Sequence, residues 1–485
     1  MMKPMIAERD EAVAGSGERA PSVGWALASL SLSMLLSSLG TSIANVGLPT
    51  LAEAFNASFQ EVQWVVLAYL LAITTLIVSV GRLGDLTGRR RLLLAGIFLF
   101  TVASVLCGVA PTLRLLIAAR VAQGLGAAIM MALTMAFVGE TVPKAKTGSA
   151  MGLLGTMSAI GTALGPSLGG VLIAGLSWRA LFLVNVPLGL LAFLLAHRTL
   201  PVDRRERKAD AGFDHVGTLL LALTLAAYAL AMTMGRGRFG SLNIILLLAA
   251  VFGVGLFVFA EAKAASPLIQ LEMFRDPVLS TSLAMSALVS TVMMVTLVVG
   301  PFYLSRALGL DAARVGIVLS VGPLVVALTG VPAGRIADRF GAQRMTLVGL
   351  IGIAAGSFIL SMMPTTLGLL GYLAPIVVIT VGYALFQTAN NTAVMAEIRA
   401  DQRGVISGML NLSRNLGLIT GASAMGAVFA LASATIDITT ARPEAVANGM
   451  RITFAVAAIL IVVALAIAVG SHVLAKRSSH SGYAS

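Results

Sequence analysis

Charge is what this sequence lacks most. Asp, Glu, Lys and Arg make up 11% of its 485 residues, where a soluble globular chain carries roughly 25%. Cysteine is almost absent. One residue, Cys107, excludes a disulfide scaffold and a cysteine-based metal site. It sits in an apolar block and reads as a small buried residue. The four histidines, His197, His215, His472 and His480, lie at block ends or in the tail and form no metal constellation. No cofactor is implied. Aromatic residues, at 6%, offer few stacking surfaces. No apolar stretch with a small-residue cleavage site follows the polar residues 1–24, so no cleaved signal peptide is expected. The alternating pattern of a membrane barrel is missing as well.

What is present is apolar sequence, 58% of the chain. It comes in blocks of about 20 residues free of acid and base, the length a helix needs to cross the hydrocarbon layer. In lipid the backbone must satisfy its own hydrogen bonds, so these blocks are expected to be helices. Fourteen follow one another, near 25–48, 62–80, 92–110, 113–139, 149–174, 180–199, 215–234, 242–261, 278–302, 314–333, 346–363, 368–394, 404–431 and 451–472. The fold class is therefore all-α, a polytopic membrane protein with 14 transmembrane helices.

The basic residues test this division. With the chain started in the cytoplasm, eight fall outside: Arg114, Arg179, Arg236, Arg238, Arg306, Arg314, Arg442 and Arg451. Arg120 and Arg414 fall within helices, which leaves 23 of the 33 Lys and Arg on the cytoplasmic side. That bias obeys the positive-inside rule and puts both termini in the cytoplasm. The net charge of +12 is thus a topology signal spread over short loops, and no nucleic-acid partner is implied. Trp64 and Trp178 fall at the outer interface and Trp25 at the inner one, as an aromatic belt requires.

The chain also repeats itself. Residues 81–91 read GRLGDLTGRRR and residues 334–344 read GRIADRFGAQR, with Gly81/Gly334, Arg82/Arg335, Asp85/Asp338, Gly88/Gly341 and Arg91/Arg344 in common. Each copy follows an outside-to-inside helix, the second and the tenth, so the two halves run parallel, as in transporters built of two related bundles. The expected organisation is a cytoplasmic tail (1–24), a six-helix bundle (25–199), two additional transmembrane helices (214–262), a second six-helix bundle (278–472) and a cytoplasmic tail (473–485).

These motifs carry a family resemblance. GRLGDLTGRRR resembles the signature loop between helices 2 and 3 of major facilitator transporters. RVAQGLGAA at 120–128 resembles the helix 4 motif, and Gly152, Gly161, Gly165, Pro166, Gly169 and Gly170 resemble the antiporter motif of helix 5. SWRALFLVNVPLG at 177–189 and SGMLNLSRNLG at 407–417 look like the fourteen-helix drug:proton antiporter branch. The resemblance covers residues 25–472. It implies the major facilitator fold, alternating access to a central site, and export of drugs, toxins or metabolites in exchange for protons from the inner membrane of a bacterium or a similar plasma membrane. Some exporters of this branch work with a periplasmic accessory protein. A monomer is expected.

Each motif also has a physical reading. Gly81, Gly88 and Gly341 permit tight turns, Asp85 and Asp338 can pair with a base, and Arg89, Arg90 and Arg91 hold the loop inside; the resemblance makes the loop a gate latch. Gly161, Gly165 and Gly169 share one helix face and permit close backbone approach, and Pro166 can bend the helix. Packing explains this as well as the interbundle hinge that the resemblance implies. Arg120 lies about 10 Å deep in helix 4, with Gln123 on its face. A buried arginine there is costly and suggests function; the bland reading is snorkelling to the surface, and the resemblance links Arg120 to substrate or proton coupling. Arg414 lies between Asn411 and Asn415, and helix 12 brings Gln387, Asn390 and Asn391 to a similar depth. These amides either bond helix to helix or line a cavity. Asn45 of helix 1 joins the coupling or substrate candidates.

All 21 Asp and Glu fall in loops or at helix ends. Where the branch usually has an aspartate in helix 1, this chain has Gly40. The acids left as proton carriers are peripheral: Glu53, Glu61 and Asp311 outside, Glu140 and Glu397 inside. Three readings follow. The first is an exporter of small hydrophobic or amphipathic compounds coupled to protons. The second is an exporter or exchanger of a specific neutral or anionic solute without a buried carboxylate. The third, a membrane-embedded enzyme, would need a cluster of His, Asp or Glu at membrane depth or a soluble catalytic insert, and the sequence has neither. The 22 methionines could form an adaptable wall.

Overall fold

Fourteen helices long and apolar enough to cross a membrane are present in the computed structural model, and no strand is found among the described residues. The structure describes residues 23–77, 79–141, 147–201, 214–234, 240–264, 267, 271–396, 403–433 and 441–481. Glu397, residues 1–22 of the first expected tail and residues 482–485 of the second lie outside the described residues, as do the side chains of Asp85, Glu140 and Asp338; residues 473–481, expected as tail, continue the last helix.

The helices are α1 Val23–Val46, α2 Phe59–Ile77, α3 Arg89–Val109, α4 Leu113–Thr141, α5 Thr147–Gly175, α6 Ala180–Thr199, α7 His215–Thr233 and α8 Ser241–Lys263. After them come α9 Pro277–Ala307, α10 Ala312–Phe340, α11 Ala342–Met362 and α12 Gly368–Ala396. α13 is built of Arg403–Thr420, a π turn Gly421–Met425 and Gly426–Ala432, and α14 is Pro443–Ser481. An even number of crossings leaves both chain ends on one face. That face holds Gly88 and Gly341, and is named the Gly88 end; the opposite face is the Asn56 end.

α1 to α6 form one bundle, in which α1 packs along α5, α6 and α4, and α3 and α2 pack on α4. α9 to α14 form the other, in which α11 packs on α12 and α14, α9 on α13 and α14, and α10 on α12. α5 and α10 meet between the bundles. α7 and α8 pair with each other, and α7 leans on α2 through Trp64 Nε1 to Thr233 Oγ1 at 3.0 Å, while Ser79, just past the end of α2, shares a 3.0 Å hydrogen bond with Thr218 Oγ1. α8 shows Ile244, Ile245, Leu248, Val251 and Phe252 on its outer surface, as a lipid-facing helix does.

The fourteen blocks hold, with two shifts. α14 starts at Pro443 rather than 451, because Pro443 supplies the fixed φ of a first helical position. The segment read as the gate loop is mostly helix. Val80–Thr87 is helical, and α10 continues through the second copy to Phe340. The turn itself is one glycine in each copy, Gly88 at φ 97° and Gly341 at φ 90°, a region that side chains disfavour. Gly81, whose backbone is helical, makes no turn. Trp25 is exposed as a belt residue should be, but Trp178 is buried against Phe55 and Phe182 and takes a tertiary role instead.

Candidate functional site

A cavity of about 300 Å³ lies between the bundles. α5 supplies Gly155, Ser158, Ala159 and Thr162; α9, α10, α12 and α13 supply the rest of the wall. Along α12 the lining runs from Tyr372 to Thr388, roughly 24 Å at 1.5 Å per residue. The wall is mostly apolar, from Met293, Leu297, Val318, Ile376 and Leu418, with polar points at Ser158, Ser290, Thr380, Tyr383, Gln387 and Arg414. No Asp or Glu lines it among the described residues.

Sequence reasoning placed Gln387 and Arg414 among the candidates, and the structure brings both to this wall. The other amides are elsewhere. Asn390 donates to the Ser282 carbonyl at 3.4 Å and ties α12 to α9. Asn45 is fully buried and donates to carbonyls of its own helix, Thr41 at 3.1 Å and Ser42 at 3.3 Å. Neither Asn391 nor Asn411 lines the cavity.

Arg120 and Gln123 form a separate cluster inside the first bundle. Arg120 is fully buried, so it does not snorkel. Its Nε donates to the Val65 carbonyl at 2.8 Å, and its Nη1 to the Gly40 carbonyl at 3.1 Å and to Gln123 Oε1 at 2.6 Å. Gln123 Nε2 in turn donates to Ser104 Oγ at 2.8 Å. The guanidinium lies 4.0 Å from the Tyr69 ring centroid, a cation–π contact. One arginine thus joins α4 to α1 and α2. Gly40 is fitted to this arrangement: a methyl group there would stand 2.8 Å from Tyr69 Oη and 3.2 Å from Phe100.

The glycines of α5 divide between two partners. Gly161, Gly165 and Gly169 face α1: a methyl on Gly161 would meet the Leu35 carbonyl at 2.5 Å, one on Gly165 the Ser42 side chain, and one on Gly169 Val46 at 2.7 Å. Ser42 Oγ donates to the Gly161 carbonyl at 3.3 Å, and Ser38 and Ser158 share a 2.7 Å hydrogen bond. Gly170 and Pro166 instead face α10, where Gly316 fits against the Pro166 carbonyl. Gly316 was not visible as a candidate, because it lacks a partner glycine at helical spacing.

More contacts join the bundles at the same Asn56 end. Gln63 Nε2 donates to the Ala422 carbonyl at 2.9 Å, within the π turn of α13. Phe59 packs edge-on against Phe302 at 4.8 Å and Phe429 at 5.4 Å. Glu53 pairs with Arg306. At the Gly88 end, Arg90 donates to the His197 carbonyl and ties α3 to α6. Arg89 packs its stem near Gly84.

The comparisons with known proteins agree with this architecture. A family profile described as Major Facilitator Superfamily matches residues 30–422. The multidrug resistance protein Stp of Mycobacterium tuberculosis is 32% identical over 418 residues, covering 84% of this chain and 76% of Stp. The riboflavin transporter RibZ of Clostridioides difficile is 28% identical over 399 residues, covering 82% of this chain and 86% of RibZ. Among solved structures, that of the nucleoside transporter NupG, crystallised as a mutant, aligns with a TM-score of 0.65 at 13% identity, over 92% of this chain and 99% of that one. At that identity the likeness speaks to the fold.

Proposed function

The chain belongs to the Major Facilitator Superfamily of transporters, and from that membership we propose that it exports small amphipathic compounds by alternating access. The observation that carries this reading is the cavity walled by both bundles, with the bundles in contact at the Asn56 end. A largely apolar wall with scattered hydroxyl and amide groups suits an apolar solute with few polar points. The proposed orientation follows the basic bias: the Gly88 end faces the cytoplasm and the Asn56 end faces outward, so this arrangement is closed outside. Stp, a multidrug resistance protein by its name, supports drugs or related compounds as cargo. RibZ supports a flavin-sized metabolite equally well.

Proton exchange is the coupling that resemblance implies, and it calls for a carboxyl group reached from both sides. No Asp or Glu lines the cavity among the described residues. That observation favours a second reading, export of a specific neutral or anionic solute without proton coupling through a buried carboxylate. Uptake of labelled drugs and flavins into inverted vesicles, with and without an imposed pH gradient, tests both. Uptake above that of vesicles lacking the protein is expected; its absence across the panel would overturn export. A rate that rises with the gradient supports proton exchange, and an unchanged rate supports the second reading.

A further inference from the structure

Arg414 is a cation in the cavity wall, and among the described residues it has neither a hydrogen bond nor an ion pair. A guanidinium in a largely apolar cavity is costly unless something with acceptor oxygens meets it. Ser290 is a second, independent observation. It is 1% exposed, its Oγ has no hydrogen-bond partner, and it lines the same cavity.

The two donors sit on helices locked to each other. Ser413 Oγ donates to the Leu283 carbonyl at 2.5 Å, and Thr291 Oγ1 donates to the Gly417 carbonyl at 3.1 Å. These bonds bracket Arg414 on α13 and Ser290 on α9. A methyl on Gly417, one turn beyond Arg414, would lie 2.7 Å from Ser290 Cβ, so the two backbones approach closely there. The two backbones are therefore held against each other before any solute arrives, and the Arg414 and Ser290 side chains are left for the solute to engage. The donors are a planar fork suited to paired oxygens and a hydroxyl. The apolar wall beside them takes a hydrocarbon body.

We propose that Arg414 and Ser290 form the receptor for an acidic group of the transported compound. The substrate class is then amphipathic organic anions, an apolar body bearing a carboxylate, sulfonate or phosphate. This rests on the cavity being the transport site.

Fluorescence titration of the purified full chain with three probes of one skeleton, pyrenebutyrate, its methyl ester and the matching alkylammonium, tests the proposal. The expected result is binding of the anion about tenfold more tightly than the ester, with the ammonium weakest. Arg414→Gln should bring the anion-to-ester ratio near one, and Ser290→Ala should lower it about two- to threefold. A ratio that stays unchanged in Arg414→Gln, or a preference for the ammonium, would overturn the receptor. If Arg414→Gln fails to fold, Arg414→Lys carries the test. Its ammonium keeps the charge but cannot make two parallel bonds, so the ratio should fall only in part, and a preference for the ester or the ammonium in it is equally fatal. Equal binding of anion and ester by the unaltered chain would overturn the receptor but leave the cavity reading standing. Binding of none of the three would overturn the cavity reading itself.

Discussion

Gly316 of α10 lies against the Pro166 carbonyl of α5, so closely that a methyl group on the glycine would overlap the oxygen. Gly170 makes the reciprocal approach: a methyl group on it would stand 2.5 Å from the Ala312 carbonyl. Backbone thus meets backbone where the two bundles touch. No side chain there can swing aside, so opening this seam requires the helices to separate as bodies.

Gly316→Ala is expected to hold the seam apart. Overpacking of this kind costs about 1–3 kcal/mol, which raises the open population roughly tenfold. Val315→Cys, 1% exposed in the closed arrangement, reports it through a membrane-impermeant maleimide applied from outside. Gly175→Ala, with nothing within 4 Å of the added methyl, should leave labelling unchanged. Equal labelling in both variants would count against the seam.

Gly40 is expected to tolerate no side chain while Tyr69 keeps its hydroxyl, which donates to the Ser37 carbonyl at 2.8 Å. Gly40→Asp alone should lower the apparent melting temperature. Adding Tyr69→Phe removes the tightest contact, leaving the Phe100 ring at 3.2 Å to give by a few tenths of an ångström, and the carboxylate would then lie near Arg120, whose Nη2 has no hydrogen-bond partner. The double variant should recover thermal stability. A single variant as stable as the parent would show that the packing here is loose.

Arg120→Lys should behave almost as badly as Arg120→Ala. The guanidinium bonds two carbonyls and Gln123 in different directions, and a single ammonium cannot replace that fork. A loss of at least about 3 kcal/mol is expected from these bonds to a charged group. Since Arg120 lies off the cavity wall, the folded fraction should transport with an unchanged KM and a reduced maximal rate. A raised KM would place Arg120 in contact with substrate.

Much of the fold was legible because lipid permits so few backbone arrangements. An apolar block of 20 residues has one outcome, and the fourteen blocks have it. The cavity wall was legible only where a base or an amide stood out in apolar sequence, at Arg414 and Gln387. Arg414 and Arg120 stood out as bases in apolar sequence, yet one lines the cavity and the other does not. What separates them is their partners, and Arg120's are mainly backbone carbonyls that no sequence pattern displays. Ser290, Tyr372 and Tyr383 gave no signal, since a hydroxyl on a membrane helix looks the same whichever way it faces. Gln63 likewise meets a carbonyl within a π turn that nothing in GASAM announces. Trp178 misled for the same reason: an interfacial tryptophan and a core tryptophan are the same residue.

Glu53→Gln should matter little under ordinary conditions. Its ion pair with Arg306 is partly exposed, and such pairs contribute about 0–1 kcal/mol. Transport rates should change less than about twofold at physiological salt, with a larger effect in dilute buffer. A large effect at high salt would give Glu53 a role beyond electrostatics.

The central claim, that the bundles must part at the Asn56 end for transport to occur, is tested most directly by tying that end shut. In a Cys107→Ser background, Glu53→Cys and Arg306→Cys place one thiol on each bundle at positions that now touch. A short bis-methanethiosulfonate linker should abolish uptake into inverted vesicles, and reduction should restore it. Full transport with the linker intact would contradict the account.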